Sequence, residues 1–445
     1  MFKIHTIGGY NEVGKNMTAI EFQDDIFVFD CGLYLPAVID LQESTKQPTP
    51  KLLREVGALP DDTFLEKNKD KVRAFIITHA HLDHVGAVQH VAHKYPKADI
   101  LGTPFTIEVL KTLLEDSKTQ LRNKMVYIQP DSSINIQGLK ESFKVDFLNI
   151  THSTIHSAIV GIHSKDGIIV YGNDYKLDNN PVIGRPPSYE KMREWAKKGV
   201  KVLIIDSLYS GDDRKTHSEK IARAMVEEVL LTVDHGNAAI VITTFSSHIA
   251  RLKSIVEFSK KINRKVVFMG RSLAKYVNAS KRINMCPFEK DIQIMSYSNQ
   301  VKKILKNIDE RRDQYVLVCT GHQAEPNSIL DRLVNKKLPL NLRAGDSVIF
   351  SSKIIPTPIN ISNRANMEKK LKAFDVRIFD NVHVSGHGGR EDLRDMVNIL
   401  KPTHIIPSHG GLDKTTPAME LAKEMGYQYG KTAHLCQNGS IVEIK

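Results

Sequence analysis

Short apolar runs separated by turns fill the first part of the chain. Phe2 to Thr6, Met17 to Phe22 and Ile26 to Asp30 read as strands, the last two joined by an Asp24-Asp25 turn, so the chain is expected to open on a hairpin. Residues 39 to 68, with Pro48, Pro50 and Pro60, read as an irregular excursion. Val72 to Thr78 is a nearly continuous apolar run of buried-strand type, and it ends directly on a group of histidines. Helical spacing follows from Val85 to Lys94, and strands are expected again at Val145 to Ile150, Ile159 to His163 and Ile168 to Tyr171.

Beyond Asp206 the pattern changes to helix and strand in alternation. Helices are expected over Ser218 to Leu231, Ser246 to Ile262, Ser272 to Arg282 and Asn327 to Val334, and strands over Ala238 to Thr243, Lys265 to Met269, Tyr315 to Cys319 and Ser347 to Phe350. Such alternation implies a parallel sheet with helices on its faces, and hence a different domain. The tail from Asp375 to Lys445 returns to short strands and turns. A Rossmann-like domain inserted into a discontinuous first domain accounts for this order.

Composition narrows the class. The 445 residues are 41% hydrophobic and 25% charged, as in soluble globular proteins, and no stretch approaches the apolar length of a membrane span. Lys and Arg number 62 against 51 Asp and Glu, a net charge of +11 that makes a polyanionic partner plausible. Four scattered cysteines form no C-x-x-C pair, which argues against a thiolate zinc site and against a disulfide framework. Without a signal segment at the N-terminus, a cytoplasmic protein is expected.

The densest chemistry lies at Thr78-His79-Ala80-His81-Leu82-Asp83-His84, with three imidazoles and a carboxylate directly after a buried strand. Neutral imidazole and carboxylate are the usual ligands of zinc-type catalytic sites. His79 and His81 can face one metal while Asp83 and His84 face a second. A polar loop in which Asp83 merely caps the next helix is the plainer alternative, and it leaves the density of histidine unexplained. Asp30, His152 and Asp174 also stand where strands are expected to end, and singly each reads as well as a turn residue or a hydrogen-bonded side chain.

Taken together, the order Asp30, His79-x-His81-x-Asp83-His84, His152, Asp174 resembles the motif series of the metallo-β-lactamase fold. Asp206 in Ile204-Ile-Asp-Ser-Leu208, His387 in Val384-Ser-Gly-His-Gly-Gly389 and His409 in Ile406-Pro-Ser-His-Gly-Gly411 resemble the further motifs of the β-CASP nucleases. Within that group the match is to the ribonuclease J family, archaeal type, over essentially the whole chain. The resemblance implies an α/β fold: a metallo-β-lactamase αββα sandwich in two parts, 1–206 and 376–445, around an inserted Rossmann-like β-CASP domain, 207–375. It implies one metal held by His79, His81 and His152, a second held by Asp83, His84 and His409, and Asp174 bridging both, with Asp30 orienting a ligand histidine. The two divalent ions are expected to be zinc, with manganese or magnesium as alternatives for activity.

The same resemblance gives catalytic duties to Asp83, Asp206 and His387, and a phosphate-binding role to Ser385, Gly386 and His387, where glycine lets backbone N–H groups approach an anion. The implied activity is hydrolysis of single-stranded RNA, 5′ to 3′ from monophosphorylated ends, with internal cutting as a second mode and a homodimer as the assembly. The chain ends soon after the His409 motif, so no further C-terminal domain of the bacterial type is expected. Thr320-Gly-His-Gln-Ala-Glu-Pro326 and Ser351-Ser-Lys-Ile-Ile-Pro356 are similar to family segments near the nucleotide path, although Ala324 stands where the family has glycine and Thr357-Pro-Ile-Asn360 departs from its pattern. Lys191 to Lys201 and Lys302 to Arg312 are candidates for an RNA channel, and Tyr175, Phe245 and Tyr315 for base stacking.

Two other readings compete. A catalytically silent β-CASP RNA-binding subunit would lack metal ligands, whereas every expected position here holds one. A small-molecule metallo-hydrolase such as a lactamase or thioesterase would lack the long insertion after Asp206.

Overall fold

The computed structural model describes residues 1–43, 49–355 and 358–445. The chain divides into two compact units, one of residues 1–179, 184–216 and 386–445, the other of 180–183 and 217–385. Among the described residues the strands form three sheets, two in the first unit and one in the second. The discontinuous α/β architecture read from the sequence is the observed one.

In the first unit a seven-stranded sheet runs in the order Ser440–Ile444, Phe2–Gly8, Met17–Phe22, Asp25–Phe29, Val72–Ile77, Asp99–Gly102, Met125–Tyr127. A six-stranded sheet runs His404–Ser408, Val200–Asp206, Gly167–Gly172, Ala158–Ser164, Ser142–Asn149, Ser132–Gln137. Their facing sides meet in one core that includes Phe27, Phe29, Phe143, Phe147, Val160, Tyr171 and Ile204, each large side chain worth about 1.5–3 kcal/mol of burial. Helices Tyr189–Lys198, Arg390–Leu400 and Leu412–Glu424 cover the other face of the six-stranded sheet around Trp195, Met396 and Leu421.

Strand direction positions the chemistry. Asp25–Phe29 pairs parallel with Val72–Ile77, and Val200–Asp206 pairs parallel with both Gly167–Gly172 and His404–Ser408. Parallel strands end together, so Asp30, His79, Asp174, Asp206 and His409 all follow or close strands at one edge of the sandwich.

Several expectations need correction. Where residues 39 to 68 are described they are not irregular, since helices Leu35–Glu43, Pro50–Glu55 and Thr63–Lys67 lie there. Pro50 begins a helix instead of breaking one, because the first helical N–H has no partner to lose, and Thr49 caps it by accepting from the Leu52 N–H at 3.2 Å; Pro48 lies outside the described residues. The helix expected over Val85 to Lys94 is instead Leu82–Val85 and Val88–Val91 with a tighter turn at Ala92–Lys94. It breaks where the Ala87 N–H leaves the helical ladder for the Cys31 carbonyl, 2.9 Å away. The tail is not only strands and turns: Leu393, Met396, Val397 and Leu400 are a buried helical stripe, obscured in sequence by the glycine-rich segments on either side.

In the second unit the strands Ile292–Met295, Lys265–Met269, Tyr315–Cys319, Ile240–Thr243, Ser347–Phe350 and Arg377–Phe379 form one parallel sheet in that order. Helices Glu219–Leu231, Ile249–Lys261, Arg271–Arg282 and Ile329–Val334 alternate with them as expected, and Ser298–Glu310 and Pro358–Lys372 add to the set. No helix among the described residues is long and apolar enough to cross a membrane.

Candidate metal centre

Three residues of the site, Asp30, Asp174 and His409, have left-handed backbone, with φ of 56°, 59° and 61°. Each sits just past a buried strand, where the reversal turns the side chain toward the sandwich edge. A non-glycine residue in that region costs about 1–3 kcal/mol, which the surrounding packing must hold in place. Gly32 explains the fit of the His79–His84 segment against the strand before it, because a Cβ there would lie 1.6 Å from the Asp83 carbonyl oxygen.

Two groups of ligand-type atoms form, each within 4.8 Å of one another: His79, His81, His152 and Asp174, and Asp83, His84, Asp174 and His409. Asp174 belongs to both. Nε2 of His79 and Nε2 of His152 lie 3.2 and 3.1 Å from Nδ1 of His81. Oδ2 of Asp174 is 3.5 Å from His79 Nε2, 3.7 Å from His152 Nε2 and 3.1 Å from His84 Nε2, and its Oδ1 is 3.5 Å from His409 Nδ1. A third group joins Asp174 to Asp206 and His387, in which Nδ1 of His387 is 2.7 Å from Asp206 Oδ2 and Nε2 is 3.8 Å from Asp174 Oδ2.

The surrounding acceptors decide where the imidazole protons sit. His152 Nδ1 donates to the Gly386 carbonyl at 2.7 Å, and His84 Nδ1 donates to Asp30 Oδ2 at 2.7 Å. Thr78 gives its hydroxyl proton to Asp30 at 3.0 Å and so accepts from His79 Nδ1 at 3.1 Å. Asp30 thereby orients one histidine directly and another through Thr78, and Nε2 of His79 and His152 keeps its lone pair. At His84 burial opposes the charge, but Asp174, Asp83 and Asp30 outweigh it and hold its pKa well above the ordinary value.

These residues fit metal ions. Around His81 Nδ1 three nitrogens meet with at most one proton to share, and the buried Oδ1 of Asp174 receives no hydrogen bond. Converging lone pairs and a buried carboxylate oxygen without a donor are costly unless a cation lies among them. Burial, reinforced by neighbouring imidazoles, depresses the pKa of His81 and His152 well below the ordinary value, so both are neutral donors. Burial also opposes the charged form of His387, but Asp206 and Asp174 outweigh it and push its pKa up to about 9. His387 is thus a protonated group beside neutral ones.

Of the residues singled out in the sequence, His79, His81, Asp83, His84, His152, Asp174 and His409 are brought together, with Asp30 behind them and Asp206 and His387 beside them. Gly386 and His387 lie in the first unit, while Ser385 falls in the second. Tyr175 is fully buried and is no surface for a base. Lys191 to Lys198 lie on a helix whose Met192 and Trp195 are buried, and Lys302 to Glu310 lie on a helix of the second unit, where Phe245 also packs on His322 at 4.4 Å between ring centres. Pro356 and Thr357 lie outside the described residues. Asn16 was not legible in sequence: it contacts Asp83, His84 and His409, yet no spacing marks it out from other loop asparagines.

Residues 10–201 match the metallo-β-lactamase superfamily, residues 237–368 match the ribonuclease J β-CASP domain, and residues 375–435 match a domain described as the Zn-dependent metallo-hydrolase RNA specificity domain. A solved structure from Enterococcus faecalis V583, a protein of unknown function, superposes with a TM-score of 0.64 over 99% of both chains at 15% identity and shares the fold. Fold and site together define a metallo-hydrolase of the β-CASP group.

Ribonuclease J of Pyrococcus abyssi is 40% identical over 100% of this chain and 97% of its own length, and that of Methanocaldococcus jannaschii is 38% identical over 100% and 99%. Ribonuclease J of Synechocystis is 26% identical over 99% of this chain and 65% of its own. The chain belongs to the ribonuclease J family, a family of metal-dependent RNA nucleases.

Proposed function

We propose that this metal-dependent ribonuclease degrades single-stranded RNA 5′ to 3′ from monophosphorylated ends, and that the same centre also cuts internally. The observation that carries the reading is the sharing of Asp174 by two groups of ligand-type atoms. In this reading His79, His81 and His152 would hold one ion, Asp83, His84 and His409 would hold a second, and Asp174 would serve both. Imidazole and carboxylate donors without thiolate suit zinc, and manganese or magnesium would serve in its place. Two such ions would polarise a phosphodiester and lower the pKa of water toward neutrality.

The chain's own residues do the rest. Asp83, with 18% of its side chain exposed, is the carboxylate of the second group that reaches solvent and would orient or deprotonate the attacking water. His387, kept protonated by Asp206, would give its proton to the departing ribose oxygen. Ser385, Gly386 and His387 would bind the phosphate through side-chain and backbone donors. Domain limits of 1–206, 207–375 and 376–445, a homodimer and a cytoplasmic location belong to the same reading.

The test is cleavage of single-stranded RNA labelled at either end and carrying a 5′ monophosphate, triphosphate or hydroxyl, before and after metal removal. Metal-dependent release of mononucleotides, fastest from the monophosphate, is expected. Internal fragments indifferent to the 5′ group would replace the exonuclease by an endonuclease, and no cleavage by metal-loaded protein would favour a silent RNA-binding subunit.

A further inference from the structure

We propose that Asn16 is a positioning residue that holds the ligands of the second ion in register, so that its loss weakens one metal position and spares the other. The inference rests on the two-ion reading above. Asn16 lies in the loop between strands Phe2–Gly8 and Met17–Phe22 and is 1% exposed. Its backbone is already fixed to the site: the N–H donates to the Asp83 carbonyl at 3.0 Å, and its carbonyl accepts from the Gly32 N–H at 3.0 Å.

The side-chain amide can sit in only one orientation. Nδ2 is 3.1 Å from the Asp83 carbonyl oxygen, a group that can only accept, so the NH2 end must face Asp83. That end also lies 3.0 Å from His84 Nε2 and 3.5 Å from Asp83 Oδ2. Oδ1 then faces the opposite way, where it accepts from Asn173 Nδ2 at 3.2 Å and meets Nδ1 of His409 at 3.0 Å.

An amide oxygen accepts and never donates, so His409 must carry its proton on Nδ1 and keep its lone pair on Nε2. Asn16 thus does for His409 what Asp30 does for His84 and the Gly386 carbonyl does for His152. A single side chain ties the Asp83 backbone to His409, which lies 393 positions from Asn16 in sequence. Its hydrogen bonds reach no member of the His79, His81, His152 group. The effect of removing it is therefore confined to one half of the centre.

The test uses metal-free full-length protein titrated with Zn2+ by calorimetry, with bound zinc counted after gel filtration and thermal unfolding measured without metal. Wild type is expected to take two ions. Asn16→Ala is expected to bind one at wild-type affinity and the other about 10–100-fold more weakly, the usual cost of losing a group behind a metal ligand. Asn173→Ala, which removes a donor to the same amide oxygen, should shift the weaker ion in the same direction by less, and it carries the test if Asn16→Ala does not fold. Wild-type affinity for both ions in these variants, or equal weakening of both, overturns the proposal. Fewer than two zinc ions in the wild type would instead overturn the two-ion reading beneath it.

Discussion

Nδ1 of His387 and Oδ2 of Asp206 lie 2.7 Å apart although 181 residues separate them in the chain. The second oxygen of Asp206 accepts from the Leu208 N–H at 2.9 Å, so the carboxylate is held on both sides and the imidazole proton is held with it. Asp206 is buried and His387 partly exposed, an arrangement that keeps a proton donor charged at the edge of the centre.

Replacing Asp206 by Asn removes the charge that keeps His387 protonated while preserving the shape of the side chain. Asp206→Asn is expected to lower kcat by about 10²–10⁴, the range for a lost general acid, with bound zinc unchanged. Steady-state cleavage of a short RNA, together with metal analysis, checks this. A variant within twofold of wild type would remove Asp206 and His387 from the proton-transfer role.

The second unit carries its own buried ion pair. Arg251 donates to both oxygens of Glu219, at 2.7 and 2.9 Å, with Arg251 wholly buried. Burial alone would raise the carboxyl pKa, but Arg251 and His248 hold it well below the usual range. A depressed folded pKa means the stabilisation is complete above the unfolded value of about 4.3 and is lost as pH falls below it. Urea unfolding between pH 6 and pH 3 should show wild type losing more stability than Glu219→Gln, the difference opening below about pH 4.3, and Glu219→Gln itself should cost about 3–5 kcal/mol at pH 6 by leaving Arg251 without its carboxylate. Equal pH dependence in the two proteins would contradict the assignment.

Ala324 stands in left-handed backbone, with φ of 58°, at a position where glycine relieves the clash between Cβ and the neighbouring carbonyl. Ala324→Gly is expected to stabilise the protein by up to about 1 kcal/mol, after the entropy that glycine adds to the unfolded chain is deducted. Chemical denaturation measures it directly. A loss of more than about 1 kcal/mol would show that the methyl group packs usefully despite the strain.

Much of the centre was legible because its chemistry is written in residue types that have few other uses at such density. His79, His81, Asp83 and His84 follow a recognisable buried strand, and the resemblance to a known motif series joined them to His152, Asp174 and His409. What escaped, apart from Asp30, was the layer behind them. Asn16, Thr78 and the Gly386 carbonyl act through hydrogen bonds whose partners lie 1 to 393 residues away, and nothing in their local sequence distinguishes them from ordinary turn residues. The fold was legible where periodicity was long and clean, as in the alternating second unit. It failed where a short helix sat among glycines and prolines, as at Pro50–Glu55 and Arg390–Leu400, because capping and tertiary packing decide such helices.

The central claim is that Asp174 joins two metal positions that hydrolyse RNA. The most direct measurement is zinc content and single-stranded RNA cleavage for wild type and Asp174→Ala, each with and without a chelator, on proteins shown by circular dichroism to be folded. The account predicts about two ions per wild-type chain, cleavage abolished by the chelator and restored by metal, and an Asp174→Ala protein that binds less metal and does not cleave. Undiminished cleavage by Asp174→Ala, or by wild type stripped of metal, would contradict it.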